Sequence, residues 1–154
     1  MKHQPNWNID AFNDLEVSNY HHIMALRSSI FVVEQNCPYQ DIDDKDLTAF
    51  HVYGKLGQQV IAVCRILPAG ISYSEISVGR VAVSMEYRGT NVANDLMHQT
   101  LRFIENKWGT QDIRISAQHH LTSFYSRFDF IQLSEIYLED DIPHVEMLRT
   151  AKNH

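Results

Sequence analysis

The sequence predicts a mixed α/β fold, in which a mostly antiparallel sheet carries helices on both faces. Short valine-rich runs recur along the chain at strand length, and longer segments with apolar residues at helical spacing lie between them. The chain has 154 residues, a length that suits one hydrophobic core, so we expect residues 1–154 to form a single domain.

The first half of the chain is predicted to form a strand, a helix and three more strands. Residues 18–33 have apolar side chains at helical spacing, which predicts a helix. Pro38 breaks this helix, because the residue before a proline avoids helical geometry. The runs 49–53 and 59–67 flank a glycine-bearing loop, which predicts a β-hairpin. Further strands are predicted at residues 7–9 and 77–83.

The second half is predicted to alternate helices with strands, which gives the overall order β-α-β-β-β-α-β-α-β-β. Residues 92–108 carry apolar side chains over several helical turns, and Gly109 ends this helix. Pro143 is expected to separate the last two strands. The remaining predicted elements are a strand at 113–117, a helix at 119–128 and strands at 130–138 and 144–149.

The composition excludes several classes of protein. A net charge of −6 and a pI near 5.8 argue against a nucleic-acid-binding protein, which needs a basic surface for phosphate contact. The chain has no apolar run of membrane-spanning length and no signal-peptide pattern, so we expect a cytoplasmic protein without a membrane partner. Two cysteines without a CxxC pair argue against a disulfide framework.

Acidic residues cluster in two segments, at residues 41–46 and 139–141. Such runs are usually solvated loops. The alternative is that they produce a negative field that attracts a cationic acceptor such as an amine. The sequence leaves both interpretations open.

A strand, a short loop and a long helix follow one another at residues 81–108, an arrangement that can hold an anion. The first N–H groups of a helix have no partner within it, and the helix dipole adds positive potential there. Arg88 adds a charged fork, and Gly89 keeps the approach clear. A pyrophosphate could bind here, but an ordinary helix start with a surface arginine has the same pattern.

Four segments carry a family resemblance. Residues 88–93 read Arg-Gly-Thr-Asn-Val-Ala, and they occur in order with the segments 26–43, 117–125 and 139–144. The first resembles the cofactor loop of the GNAT superfamily of N-acetyltransferases. The other three are similar to signatures of its ElaA-type branch. Together they extend over nearly the whole chain.

The resemblance implies an enzyme that moves an acetyl group from acetyl-CoA directly to a primary amine of a small molecule or peptide, without a metal. It implies a GNAT fold whose sheet is splayed between strands four and five, with the cofactor arm in the gap. A homodimer is also expected, since dimers are common in the family. The implied cofactor-binding residues are Val81, Ala82, Val83, Arg88, Gly89, Thr90, Asn91, Val92, Ala93, Gln118 and Tyr125.

The resemblance also implies catalytic roles. The backbone N–H of Val83 would support the thioester carbonyl as it becomes an oxyanion. Tyr125 matches the tyrosine that protonates the leaving thiolate in many GNAT enzymes, although it could instead be a core residue. For the base that deprotonates the amine, Glu34 and His51 are candidates, and a chain of water molecules is an alternative.

Three positions depart from the family pattern, because Asn91, Asp129 and Asp141 stand where glycine is common. Asn and Asp are the least costly non-glycine residues at positive φ, so these replacements are compatible with such a backbone. Asn91 could nevertheless crowd a phosphate.

Other functions stay open at this point. A CoA-binding or sensing module without turnover is favoured by Asn91. An autoinducer synthase that uses an acyl carrier protein is suggested by a faint likeness at residues 26–31. A metal site is not expected, because the histidines at 21–22 and 119–120 are sequence neighbours, which point in different directions on a helix, and no HExxH motif occurs.

Overall fold

The computed structural model describes residues 4–151, and an eight-stranded mixed sheet is the centre of the described part. The order across the sheet is β1-β2-β3-β4-β5-β8-β6, and β7 also pairs with β8. Every pairing is antiparallel except that of β4 with β5, which confirms the predicted mostly antiparallel sheet. The strands are β1 Asn6–Ala11, β2 Phe50–Leu56, β3 Gln59–Leu67, β4 Ile76–Val83, β5 Ile113–Gln118, β6 Ile131–Gln132, β7 Tyr137–Glu139 and β8 Ile142–Arg149.

Helices cover both faces of this sheet. The helices are α1 Val17–Arg27, α2 Val92–Trp108 and α3 Thr122–Ser126. Ile23 of α1 belongs to one buried cluster with Val63 of β3, whereas Leu96 of α2 belongs to another with Cys64. Successive side chains of a strand point to opposite faces, so α1 and α2 pack against opposite sides of β3.

Two elements agree fully with the sequence prediction, and others differ in instructive ways. The strand Gln59–Leu67 and the helix Val92–Trp108 have the predicted bounds. The helix predicted at 18–33 continues past α1 as a π-helical segment, Ser28–Glu34. The helix predicted at 119–128 is a 3-10 turn followed by the short α3.

The largest difference lies near the C-terminus. The strand predicted at 130–138 is divided into β6 and β7, because the Ser134 hydroxyl, and not a strand backbone, accepts the N–H of Glu146 at 2.8 Å. Pro143 lies inside β8 and does not separate two strands. It pairs only with Leu138 of β7, and the pairing of β8 with β5 begins one residue later at His144, so the missing N–H of Pro143 costs no bond to β5.

The feature that creates the site is the short pairing of β4 with β5. These parallel strands are paired only at Ile76 with Ile113 and at Ser77 with Arg114. Beyond this point β4 continues to Val83 and β5 continues to Gln118, but the two strands no longer pair with each other. The sheet is therefore splayed between its fourth and fifth strands, as predicted.

Candidate active site

A cavity of about 230 Å³ lies where β4 and β5 part. Val81 of β4 and Ser116 of β5 line its two sides. The cavity reaches Tyr125 of α3, which belongs to the buried cluster on the α2 face. It also reaches Phe31 and Tyr39, which follow α1. The opening in the sheet therefore connects the two faces of the molecule.

The backbone of β4 presents polar groups to this opening. Val83 pairs with Ala62, and the next residue, Ser84, donates its N–H to Ile61 at 2.8 Å. Bonded and non-bonded pairs alternate along an antiparallel ladder, so the N–H and C=O of Val83 point away from β3 and toward the gap. The Val83 carbonyl indeed accepts a bond from Arg88 Nε at 2.9 Å. The Val83 N–H is thus directed as its predicted oxyanion role requires.

A bulge interrupts β4 just before this point. The register with β3 shifts between Val63 and Arg65, and Arg80 has a φ of 51°. A non-glycine residue in the left-handed region inside a strand costs about 1–3 kcal/mol and persists only where its surroundings hold it. Here the Arg80 guanidinium is held by Asp41, with Nε 2.7 Å from Oδ1 and Nη2 3.0 Å from the backbone carbonyl. The bulge is therefore anchored from outside the strand.

This anchor belongs to a larger buried cluster, which we call the arginine–aspartate network. Its members are Arg27, Arg65, Arg80, Asp41, Asp43 and Asp46. Arg27 is only 1% exposed and bonds to both Asp41 and Asp46. Burial opposes ionisation of Asp46, but hydrogen bonds from Arg27 and Arg65 outweigh it and lower the pKa of this carboxyl.

The network corrects both interpretations of the first acidic segment. Asp41, Asp43 and Asp46 are neither a solvated loop nor a free negative field, because three arginines neutralise them. Among the four aspartates of this segment, Asp44 is exposed to solvent, Asp43 is partly exposed, and Asp41 and Asp46 are buried. The signal in the sequence was Arg65, a charged residue inside an otherwise apolar strand, which requires a buried partner.

The predicted cofactor loop lies between β4 and α2. Gly89 has a φ of 75°, which suits glycine, and α2 begins at Val92 with Asn91 as its N-terminal cap. Asn91 has a φ of −86°, so its backbone does not need the positive φ considered for it. Asp129 and Asp141, at 69° and 63°, do adopt that conformation.

The start of α2 also carries polar side chains. Asn91 donates from Nδ2 to Asp95 Oδ1 at 3.2 Å and accepts from Asn94 at 3.0 Å. The N–H groups of the first helical turn have no partner inside the helix, and such groups can bind an anion, although the Val92 N–H lies 3.4 Å from the Thr90 hydroxyl. The carboxylate of Asp95 in that turn reduces the positive potential available to a phosphate.

Comparison with known proteins identifies this arrangement. A family model described as an acetyltransferase (GNAT) domain matches residues 29–151. The chain belongs to the GNAT acetyltransferase family. Protein ElaA of Escherichia coli (strain K12) is 41% identical over 145 residues, which cover 93% of this chain and 95% of that protein.

Solved structures agree with this membership. The crystal structure of Escherichia coli ElaA is similar with a TM-score of 0.89 and 39% identity over 94% of this chain and 99% of that one. The crystal structure of an acyl-CoA N-acyltransferase from Pseudomonas aeruginosa has a TM-score of 0.90 and 35% identity over 95% and 99%. GNAT membership supports an acyltransferase activity, and GNAT proteins generally use acyl-CoA.

Within this GNAT fold, Tyr125 lies at the α3 end of the cavity. Burial raises the pKa of its phenol, so the hydroxyl stays protonated at neutral pH. The hydroxyl donates to no protein group within residues 4–151, although Tyr125 is 6% exposed. Gln118, at the end of β5, also lines the cavity. Both residues are close to the opening, as their predicted roles require.

Arg88 and Glu34 form one bidentate ion pair. Arg88 Nη1 and Nη2 donate to Glu34 at 2.7 and 2.9 Å, while Nε donates to the Val83 carbonyl. The hydrogen bonds from Arg88 lower the pKa of Glu34 and make it a weaker base. The pair joins the cofactor loop to the end of the π-helical segment, and the Arg88 guanidinium is occupied by protein groups.

His51, the other candidate base, is buried away from the cavity. It is 1% exposed, and its Nε2 lies 2.9 Å from the Asp46 carbonyl oxygen. Burial lowers its pKa. These contacts give His51 a structural role beside the arginine–aspartate network.

Residues 4–151 contain neither a metal-binding cluster nor a membrane-spanning helix. No three His, Cys, Asp or Glu side chains converge there in a metal-binding arrangement. The same residues form no helix of the length and apolarity needed to cross a membrane.

Proposed function

We propose that the protein is an acyl-CoA-dependent N-acyltransferase. It moves an acetyl group from acetyl-CoA to a primary amine of a small molecule or peptide by direct transfer. The observation that supports this proposal is the cavity between the parted strands β4 and β5. The Val83 N–H faces this gap, and Tyr125 lies at one end of the cavity. A cytoplasmic setting and a homodimer are part of the proposal, and sedimentation in solution tests the dimer.

The residues of the chain suit acetyl-CoA in two regions. The backbone of residues 88–93 and the first turn of α2 would hold the pyrophosphate, because free N–H groups bind anions. The edges of β4 and β5 would hold the extended arm, since Val81 and Gln118 line the cavity and the Val83 backbone is directed toward the gap. When bound, acetyl-CoA would supply an acetyl group already activated as a thioester.

The chain's own groups would then assist the transfer. The Val83 N–H would donate to the oxygen that gains negative charge as the amine attacks. Tyr125 would donate its proton to the departing sulfur, since burial keeps its phenol protonated. Both interactions would be stronger in this partly buried gap than in bulk water, because the effective dielectric constant is lower there.

The test combines turnover with binding. Free-thiol release from acetyl-CoA is measured with a panel of primary amines, and CoA binding is titrated by calorimetry on the same protein. We expect CoA to bind and at least one amine to accelerate thiol release above the rate without protein. No CoA binding would overturn the proposal.

A second candidate is a CoA-binding or sensing module without turnover. The interactions among Asn91, Asn94 and Asp95 at the start of α2 favour it, because they place a carboxylate and amide side chains where a pyrophosphate would approach. This candidate predicts CoA binding without amine-dependent thiol release, so the same two measurements separate it from the enzyme.

A further inference from the structure

A polar cluster forms the cavity wall on the side of β5, β7 and β8. Ser116 of β5 accepts a bond from the Tyr137 hydroxyl at 2.5 Å and donates to Glu139 Oε1 at 3.1 Å. The other oxygen of Glu139, Oε2, lies 3.7 Å from Nε2 of His144. Ser116, Glu139 and His144 all line the cavity. From the sequence, Glu139 was considered only as part of the acidic segment 139–141 and of the family-like segment 139–144, and no catalytic role was predicted for Ser116 or His144.

The orientation of the His144 ring is set by its own hairpin. Nδ1 lies 2.7 Å from the carbonyl oxygen of Ile142, which can only accept a hydrogen bond, so Nδ1 carries a proton. In the neutral ring, Nε2 then holds the lone pair. Within residues 4–151, Nε2 donates to and accepts from no protein atom at hydrogen-bond distance. The side chain is only 8% exposed, so little besides the cavity is open to it.

The surroundings of His144 suit a ring that gains a proton. His144 pairs with Gln118 of β5 on one side and with Tyr137 of β7 on the other, and the Tyr137 ring stacks on it at 6.2 Å. Glu139 supplies a negative charge that can accompany the imidazolium. The Glu139 side chain is 48% exposed, which provides a path for the proton to bulk water.

Three other candidate bases are less suited to removing a proton. Glu34 is paired with Arg88, and His51 is turned to the Asp46 carbonyl. Glu139 is a carboxylate, which is intrinsically a much weaker base than imidazole. We propose that His144 is the general base that deprotonates the amine acceptor, and that Glu139 is its positioning residue. This proposal rests on the function proposed above.

The proton balance is as follows. A primary ammonium group in the cavity gives one proton to His144 Nε2 and becomes a neutral amine. The amine nitrogen forms a bond to the acetyl carbon, and the carbon–sulfur bond breaks. The sulfur takes the Tyr125 proton, and the second proton on the attacking nitrogen restores the Tyr125 phenol. His144 releases its proton past Glu139, so the net products are the amide, free CoA thiol and one proton.

The test uses two small nucleophiles of similar size. Methylamine is a cation at neutral pH and needs a base, whereas hydroxylamine is already a free base. Thiol release from acetyl-CoA is measured with each, above the rate without protein, on the full-length chain. The main variant is His144→Asn, because the asparagine amide can still donate to the Ile142 carbonyl but lacks Nε2. His21→Asn, at an exposed histidine on α1, is the matched control.

We expect His144→Asn to lower the methylamine reaction about 10²-fold while the hydroxylamine reaction stays near that of wild type. Glu139→Gln should lower the methylamine reaction less and shift its pH profile. CoA titration and thermal unfolding confirm that the variants fold and bind. An equal loss with both nucleophiles would indicate a structural role and overturn the base assignment.

Three further outcomes are decisive. If wild type and His144→Asn release thiol equally with methylamine, the base assignment is wrong while the proposed acyltransferase stands. If wild type uses hydroxylamine but not methylamine, no group in the cavity deprotonates an amine, and the base assignment also falls. If wild type uses neither nucleophile and binds no CoA, the proposed function itself is wrong, and so is the assignment of His144 as its base.

Discussion

Tyr125 combines a buried ring with a hydroxyl that bonds to no described protein group, a combination suited to an acid. Phenylalanine fills nearly the same space but has no proton to give. We therefore expect Tyr125→Phe to lower amine-dependent turnover about 10²-fold and to leave CoA affinity near that of wild type. Thiol release and calorimetry measure the two quantities. Unchanged turnover would remove the acid role and leave Tyr125 as a core residue.

The Arg88–Glu34 pair permits a second test at the level of single residues. The Arg88 guanidinium is neutralised by Glu34 and faces it with both terminal nitrogens. If Arg88 also attracts a pyrophosphate, the uncharged Glu34→Gln should bind CoA about threefold more tightly, a change typical of a half-exposed ion pair. Glu86→Gln, an exposed acid near the same loop, is the control, and calorimetry is the measurement.

The opposite result would have a clear meaning. Weaker CoA binding by Glu34→Gln would indicate that the ion pair holds the loop in its binding conformation, so that Arg88 acts as a scaffold. Arg88→Ala should weaken CoA binding in either case, because it removes both the charge and the bond to the Val83 carbonyl. A large loss of turnover in Glu34→Gln at saturating acetyl-CoA would return Glu34 to the role of base.

At the scale of elements, two substitutions in the β4 bulge distinguish the cost of backbone strain from the contribution of the side-chain contacts. Arg80→Ala removes the bonds to Asp41 and keeps a side chain at positive φ, whereas Arg80→Gly removes the same bonds and relieves the strain. We expect the glycine variant to be more stable than the alanine variant by about 1 kcal/mol. Urea unfolding measures this difference, and equal stability would show that the positive φ carries no cost.

Elements with a consistent local pattern could be predicted from the sequence. The strand Gln59–Leu67 is an almost continuous apolar run, the helix Val92–Trp108 has apolar residues at helical spacing, and both have the predicted bounds. The bulge at Arg80 and the π-helical segment could not be predicted in this way. The bulge is held by Asp41, which lies far away in sequence, and no local periodicity records such a contact.

The candidate site, like the fold, could be predicted only in part from the sequence. The loop at 88–93 and Tyr125 were predicted as site residues because the segments that carry them resemble a family, and their roles stay predictions. The arginine–aspartate network and the Ser116–Glu139–His144 wall were missed, since their members come from separate elements that meet only in the folded sheet. Buried charges such as Arg65 and Arg27 were the available signal, and they demanded partners without identifying them.

At the scale of the whole molecule, the splayed sheet connects two different surfaces. The face that carries α2 provides the helix start expected to hold a diphosphate, and the face that carries α1 provides the polar cavity wall with His144. The two meet at the gap between β4 and β5, where the Val83 N–H is directed. This division suits the proposed two-substrate reaction, in which each substrate would enter from its own side.

This division predicts how acetyl-CoA changes the stability of the whole fold. A ligand that binds only the native state at about 100 times its Kd stabilises it by about 2.7 kcal/mol. For a chain of this size, each kcal/mol raises Tm by about 2–4 °C, so thermal unfolding should shift upward by roughly 5–10 °C. Pantetheine, which would occupy the same gap but lacks the diphosphate, is the control at equal concentration and should produce a much smaller shift. An equal shift with both would mean that the start of α2 does not anchor the cofactor, and that the strand gap alone supplies the binding energy.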